Sequence, residues 1–529
     1  MGRTIPDVLR ERSAIEPDAL AIISERGNVT YAGLLATGSR VAGALRARGV
    51  RRGDRVGLLM TNRPEWIEAF TGIAMTGAVA VPFSTWSTRQ ELDFLFRDSG
   101  ISFLFTLATL GDRDFSADTD AIIEAHPDLK LKPEAVVTVG DDASRFTSWQ
   151  TFVGEATPLG PLAPGDGPSA PDDAFVLYTS GSTSWPKGVR LQHFGMVENG
   201  FNIGERQGLV PGDRVFLSAP LFWSYGGANA MPAAFSHGAA LVLVERFEAG
   251  HAIATIERTG CTSIYTLPTM TAALASHPDF SPERLATLRT GLTIGGPKDF
   301  LTGVNVLGIP HLCNIYGATE TYGNCVVTPH QWSVDRRTHS QGIPLPGQVL
   351  RFVDEETGDE VAPGQPGAVE VKGIISPGYT GASAELNPKA FTPDGYYRTG
   401  DVARLDDNGD FIFVGRNSEM IKRAGINVSP VEVEDVLLQA EGVARAAVVG
   451  IEDAARGELI IAYVIPRTGH TLSSDVLVAH CRAVASKYKT PDRVIVTDAF
   501  PQTATGKVLK RDLKADAEKL VAAAREVAS

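Results

Sequence analysis

Between Arg55 and Thr106, short apolar runs alternate with amphipathic stretches. DRVGLLM, AVAVPF and ISFLF read as strands, and RPEWIEAFTGIAMTG and RQELDFLFRDSG between them read as helices. Strands joined by helices of this length cannot pair as tight hairpins, so the pattern predicts a parallel sheet covered by helices. It then recurs as GDRVFLSAP, a helical stretch to Ala234, HGAALVLVERF, HAIATIERTG and SIYTL. Both copies open on Gly-Asp-Arg-Val, at Gly53 and Gly212, and both place a Gly-Ala pair, Gly77-Ala78 and Gly238-Ala239, before the second strand. An internal duplication produces this match, and so does a common turn into a strand.

The chain has 529 residues, several times the roughly 150 of a typical domain. Pro158 to Asp173, PLGPLAPGDGPSAPDD, suits an extended surface connection between the two α/β units. From Gln341 short strands and tight turns take over, and VARL and DFIFV flank Asp406-Asp407-Asn408-Gly409, a hairpin signal. This region should be a small β-rich subdomain. After Arg416 the pattern is mixed again: Ser429, Pro430 and Glu432 predict a capping box opening a helix, and strands, a helix through VLVAHCRAVAS and the strand RVIVTD follow. A separate α+β domain of about a hundred residues is expected at this end.

A net charge of −13 removes any global pull toward nucleic acid or anionic lipid. Cys261, Cys313, Cys325 and Cys481 are widely spaced and form no CxxC pair, which argues against a zinc site or a disulfide framework. MGRTIPDVLRERSAIEPDA lacks the apolar core of a secretory signal, and the apolar stretch from Trp66 to Phe83 is broken by Glu68 and glycines. A cytoplasmic protein without a membrane span is expected.

The segment FVLYTSGSTSWPKGV carries the most chemistry. An apolar run ends in Thr179, Ser180, Gly181, Ser182, Thr183 and Ser184, followed by Lys187 and Gly188. Glycine lets backbone N–H groups approach an anion, hydroxyls donate to it and lysine supplies charge, so the loop suits phosphate. It is not a Walker A loop, because Lys187 precedes Gly188. A solvated Ser/Thr/Gly turn has the same composition.

YTSGSTSWPKG resembles the signature loop of the adenylate-forming superfamily, which includes acyl-CoA synthetases, adenylation domains of peptide synthetases and luciferases. NIYGATET (Asn314 to Thr321), YRTGDVARL (Tyr397 to Leu405), GRNSEMIKRAGINVSPVEVE (Gly415 to Glu434) and PQTATGKVLKRDL (Pro501 to Leu513) follow in that family's order. The resemblance covers essentially the whole chain and is closest to acyl-CoA synthetases. It implies an α/β fold: a large N-terminal domain, 1–416, of two related α/β subdomains plus a small β-barrel-like subdomain, then a small mobile α+β C-terminal domain, 417–529, carrying a catalytic lysine.

The site residues follow by resemblance. Thr179, Ser180, Gly181, Ser182, Thr183 and Lys187 hold phosphates, and Gly295, Gly296, Tyr316 and Gly317 surround adenine. Thr319 contacts the α-phosphate, Glu320 helps hold Mg2+, and Asp401 with Arg416 takes the ribose. Pro297-Lys298-Asp299 departs from the family's usual Ala-Pro-Leu after the glycine pair. Lys507, the implied catalytic residue, bridges the carboxylate and α-phosphate and stabilises charge during in-line displacement. It lies in a stretch, Arg482 to Arg511, with seven basic and two acidic side chains, which also suits coenzyme A phosphates. Ser418 stands at the hinge where many relatives have Asp or Lys. Rotation there brings Lys422, Ala424 and Gly425 to the site for the second half-reaction, with Gly425 letting pantetheine pass.

PLFWSYGGANAM resembles the segment lining the acyl pocket, with Trp223 where many acyl-CoA synthetases carry His. No charge lies between Leu221 and Met231, which argues against an α-amino acid substrate. Trp223, Tyr225 and Tyr322 are expected as an aromatic wall, with Gly226, Gly227 and Gly323 leaving room, or else as ordinary core. The implied function is an ATP-dependent acid:CoA ligase acting on an aromatic, alicyclic or short- to medium-chain apolar acid, with ATP, Mg2+ and coenzyme A. A stand-alone adenylation enzyme loading a carrier protein is the alternative. A non-catalytic nucleotide-binding protein is disfavoured by the joint presence of Lys187, Glu320, Asp401 and Lys507. The sequence leaves a homodimer open.

Overall fold

The structure, a computed structural model, describes residues 2–140, 145–179, 186–423, 426–453, 456–485, 489–502 and 508–528. By packing, the chain forms two compact units, Met1–Leu350 with Val371–Arg398, and Arg351–Glu370 with Thr399–Ser529. The second unit thus includes part of the β-rich region as well as residues beyond 416.

The first unit holds two large sheets. One has eight strands, ordered Tyr379–Thr380, Lys187–Gln192, Asp173–Thr179, Val79–Pro82, Arg55–Leu59, Phe103–Leu107, Val136–Val139 and Thr147–Ser148. The other has nine, ordered Ile343–Pro344, Val326–Val327, His311–Tyr316, Thr290–Thr293, Ser263–Tyr265, Arg214–Leu217, Ala240–Leu243, Leu20–Ile23 and Val29–Thr30. Phe103–Leu107 and Val79–Pro82 are buried at every position. That continuous burial is what helices on both faces of a parallel sheet demand.

The duplication is real in structural terms, because both copies make the same hydrogen bonds. In each, the first strand lies between the second and the third, all parallel. Gly53 N donates to Gly77 O (2.9 Å) and Gly212 N to Gly238 O (3.1 Å). Val79 N donates to Asp54 O, and Ala240 N to Asp213 O, both at 2.8 Å. The Asp54 carboxylate accepts from Arg51 N (2.7 Å) and that of Asp213 from Val210 N (2.8 Å). Gly53 and Gly212 have φ of +84° and +85°, so a side chain at either turn would be strained. Strand order, register and turn coincide, which a chance Gly-Asp-Arg-Val would not produce.

The β-rich region is a four-stranded sheet, Gln348–Val353, Gly367–Gly373, Tyr397–Leu405 and Phe411–Arg416. Its expected hairpin is present: Leu405 pairs with Phe411, and the Asp406 carboxylate accepts from Asn408 N and Asp410 N at 2.9 and 2.8 Å. The C-terminal α+β domain pairs Ile426–Val428, Ile421–Arg423, Gly457–Pro466 and Val443–Asp453, with Arg493–Val496 parallel to Gly457–Pro466. Its α-helices among the described residues are Pro430–Leu438, Ser474–Val484 and Lys510–Ala528. Ser429 caps the first, accepting from Glu432 N (3.3 Å). Glu432 does not close the predicted box, because its carboxylate pairs with Lys489 at 2.8 Å. No described helix is long and apolar enough to cross a membrane.

Candidate active site

The loops of YTSGSTSWPKG and NIYGATET follow the carboxyl ends of the strands Asp173–Thr179 and His311–Tyr316, where open α/β sheets bind ligands. Asp173–Thr179 and Lys187–Gln192 pair antiparallel so that Thr179 sits opposite Lys187. The two ends of the expected phosphate loop are therefore fixed side by side. Ser180, Gly181, Ser182 and Thr183 lie outside the described residues. The Lys187 ammonium stands 5.7 Å over the ring of Tyr379, a cation–π contact that holds it beside the loop.

The strand His311–Tyr316 delivers NIYGATET into a tight turn. Cys325 N returns to Tyr316 O at 3.0 Å, and a Cβ on Gly317 would lie 2.5 Å from Gly323 O, so the position admits only glycine. The Tyr316 ring is buried. Thr319 Oγ1 donates to Ser224 Oγ at 3.1 Å. Glu320 is 8% exposed, its Oε1 accepts from the Tyr379 hydroxyl at 2.7 Å, and the buried Tyr397 phenol lies near enough to interact electrostatically with both groups. Burial first, and the nearby Glu320 second, push both phenols above their ordinary range, so they stay protonated. Ser376 N closes the turn from the other side, donating to Glu320 O at 2.7 Å.

The acyl segment takes a form that periodicity does not reveal. Ser224–Ala230 is a π-helical turn that runs into the helix Met231–His237, and such wide turns favour functional sites. Gly226 and Gly227 do not leave room for substrate as expected. A Cβ on either would lie 2.3 Å from the carbonyl oxygen of Pro220 or Leu221, so both exist because the wide turn folds back onto that backbone. Tyr225 is tied down, donating to Leu292 O at 2.9 Å with its ring 5.0 Å from Tyr265. Tyr322 has the left-handed φ of +56°. Its oxygen accepts from Gln192 N at 3.1 Å, and its ring fills the space over Gly195, where a Cβ would be 2.0 Å away. Its side chain is therefore core and not pocket wall.

Trp223, like Tyr225, is partly exposed, and its ring packs edge-on at 5.0 Å against Trp86, which is 45% exposed and 5.6 Å from Phe222. Gly323, with φ of +95°, lies against Asn229. The turn Thr319–Gly323 thus meets the acyl segment at two points. Ser224, Tyr379, Tyr397 and Trp86 escaped sequence reasoning. Ser224 and Tyr397 lie inside the motifs PLFWSYGGANAM and YRTGDVARL without a role of their own there, and Trp86 is a lone aromatic in the polar stretch Ser84–Thr88.

Gly295 has φ of +148° and Gly296 begins the short helix Pro297–Leu301, so the departure Pro297-Lys298-Asp299 is accommodated as helix. In the second unit, Asp401 and Arg416 are cross-strand partners, with Arg416 Nε 3.3 Å from the buried Asp401 carboxylate. Ser418 lies in the turn Asn417–Glu419. Lys422 is exposed on Ile421–Arg423, and its backbone N–H donates to Glu458 at 2.5 Å. Ala424, Gly425 and Lys507 lie outside the described residues. The ends of the lysine loop are pinned: Gln502 bridges to Val508, and Leu509 N donates to Pro501 O at 2.8 Å. Lys510 just beyond pairs with Glu434 (2.8 Å) and Glu419 (3.2 Å).

Residues 9–380 match the AMP-binding enzyme family, and residues 432–507 match the AMP-binding enzyme C-terminal domain. The chain belongs to the AMP-binding enzyme family. Its fellow members include the feruloyl-CoA synthase of an Amycolatopsis species, 32% identical over 95% of this chain and 97% of that one. The indoleacetate–CoA ligase of Aromatoleum aromaticum is 31% identical over 95% and 96%. Among solved structures, the anthranilate CoA ligase AuaEII in complex with anthranoyl-AMP has a TM-score of 0.87 at 27% identity, covering 99% of this chain and 98% of that one. The o-succinylbenzoate coenzyme A synthetase of Bacillus subtilis, in complex with ATP and magnesium ion, has a TM-score of 0.81 at 28% identity, covering 97% and 100%.

Among the described residues no three His, Cys, Asp or Glu side chains cluster as a metal cage. One oriented carboxylate fits Mg2+, which is commonly bound by one or two carboxylates plus substrate phosphates.

Proposed function

We propose that this enzyme is an ATP-dependent carboxylic acid:CoA ligase for an aromatic or otherwise apolar acid. The observation that carries the reading is the junction at Thr319 and Glu320, which binds the phosphate and metal motif to the acyl segment through Ser224. An acid and the α-phosphate must meet within about 3–3.5 Å to react, and this junction is where the two binding motifs touch.

In the first half-reaction a carboxylate oxygen attacks the α-phosphorus and the bond to pyrophosphate breaks. Thr179, Lys187 and Thr319 hold phosphate oxygens, Asp401 and Arg416 hold the ribose, and Tyr316, Gly295 and Gly296 border the base. Glu320 would hold the Mg2+ of bound ATP, which would neutralise charge on the phosphates. Lys507 bridges the attacking oxygen and the α-phosphate and stabilises the charge that develops there. In the second half-reaction the coenzyme A sulfur attacks the acyl carbon, the anhydride bond breaks and AMP leaves. Lys422, Ala424 and Gly425 serve this step after the segment beyond Ser418 turns. The half-exposed Trp86 and Trp223 rings supply the apolar surface for the acid.

Relatives named as CoA ligases of ferulate and indoleacetate support the aromatic class and the free thiol acceptor. Incubation with ATP, a panel of acids and either coenzyme A or a pantetheinylated carrier protein tests this. AMP release that requires free coenzyme A is expected. Turnover on the carrier alone would replace the reading with that of a carrier-loading enzyme.

A further inference from the structure

We propose that Tyr379 and Tyr397 are positioning residues that hold the Glu320 carboxylate in the orientation that receives the divalent cation of bound ATP. This rests on the reading of Glu320 given above and adds to it two residues from a distant part of the chain.

A nearly buried carboxylate needs partners, and the chemistry of those partners decides what it can do next. An arginine or lysine would orient it but also cancel its charge. Tyr379 and Tyr397 are neutral phenols: the first donates to Oε1 at 2.7 Å, and the second is buried close enough to both Glu320 and Tyr379 to interact electrostatically with each. They fix direction and leave the negative charge intact. A carboxylate has about four lone-pair positions, so the Tyr379 hydrogen bond at Oε1 leaves capacity for a cation.

The placement is built into the fold. Tyr379 pairs with Val189 on the strand that leaves the phosphate loop, so its backbone is fixed relative to Lys187. The same ring then carries the Lys187 ammonium on its face, at 5.7 Å, and the carboxylate at its hydroxyl. Tyr397 is buried, and Phe391 packs against both tyrosines at 6.0 and 5.4 Å. Ser376 ties this segment to the Glu320 backbone. One rigid element therefore aligns the phosphate-binding lysine with the cation-binding carboxylate. Partners that orient a ligating carboxylate are typically worth about 10- to 100-fold in metal affinity.

The test measures binding of α,β-methylene-ATP to the full-length enzyme by calorimetry, once in saturating Mg2+ and once in EDTA. The ratio of the two dissociation constants isolates the cation's contribution from that of the nucleotide. Tyr379→Phe and Tyr397→Phe should each lower this ratio by about 10-fold. Affinity in EDTA and the unfolding temperature of the metal-free protein should stay at wild-type values, and Glu320→Gln should abolish the ratio. A ratio within twofold of wild type in both Phe variants overturns the proposal. An equal loss of affinity in EDTA also overturns it, because it marks the phenols as merely structural. A wild-type ratio of one overturns the prior reading of Glu320 instead.

Discussion

Lys510→Met should loosen the C-terminal domain in a pH-dependent way. Lys510 is 21% exposed and pairs with Glu434, 17% exposed, and Glu419, 31% exposed. Met keeps the apolar stem and removes only the charge. Breaking a fully buried pair costs about 3–5 kcal/mol. Partial exposure of all three groups lowers the expected cost to about 2 kcal/mol. Burial already holds the Glu434 carboxyl above its ordinary range, even with Lys510 beside it. Removing Lys510 raises it further, so folded Glu434 binds a proton that the unfolded chain releases. Stability of the variant therefore falls as pH rises from the ordinary carboxylate range through the raised value.

Hydrogen exchange on the full chain reads this locally, because Val448 N in the strand Val443–Asp453 donates to Glu434 Oε1 at 2.8 Å. With intrinsic rates corrected for pH, protection of that strand should drop by about 2 kcal/mol at pH 8 and by clearly less at pH 5. Glu434→Gln added to Lys510→Met should recover most of the loss at pH 8. Equal deficits at both pH values, or a deficit under about 0.5 kcal/mol at pH 8, would refute the assignment of a buried charge pair.

Three substitutions probe the first unit. Gly195→Ala forces a methyl into the Tyr322 ring, 2.0 Å away, and should cost about 1–3 kcal/mol. Denaturant unfolding checks the cost, and a raised KM for the acid checks the coupled shift of the Thr319–Gly323 turn. Ser224→Ala removes the acceptor of the Thr319 hydroxyl and should lower kcat/KM for adenylation about two- to tenfold, with an unchanged melting temperature. Trp86→Ala removes the edge-on partner of Trp223 and should raise KM for aromatic acids about two- to tenfold, more than for short aliphatic ones; a uniform change across acids would separate Trp86 from the acyl surface.

Local sequence carried most of the fold. The alternation from Arg55 to Thr106 and its repeat contained the strands, and Gly-Asp-Arg-Val with Gly-Ala marked positions whose hydrogen bonds recur in both copies. These signals are local, since glycine at positive φ and buried apolar runs leave traces within a few residues. Long-range commitments left none. Tyr322 reads as a plausible pocket aromatic until its ring is seen over Gly195, 127 positions away in the chain. Gly226 and Gly227 read as space, but the carbonyls of Pro220 and Leu221 occupy it once the turn widens. Glu432 fits a capping box by spacing, yet Lys489 offers a full opposite charge and wins the carboxylate. Tyr379 reaches Glu320 across 59 residues, and no periodicity points there.

In the proposed mechanism one lysine, Lys507, serves the first half-reaction and not the second. Single-turnover kinetics of Lys507→Ala in each half-reaction separates the two roles. Acyl-adenylate formation from acid and ATP should slow by about 10² to 10³, while thioester formation from supplied acyl-adenylate and coenzyme A should stay within a few-fold of wild type. An equal loss in both halves would contradict the account.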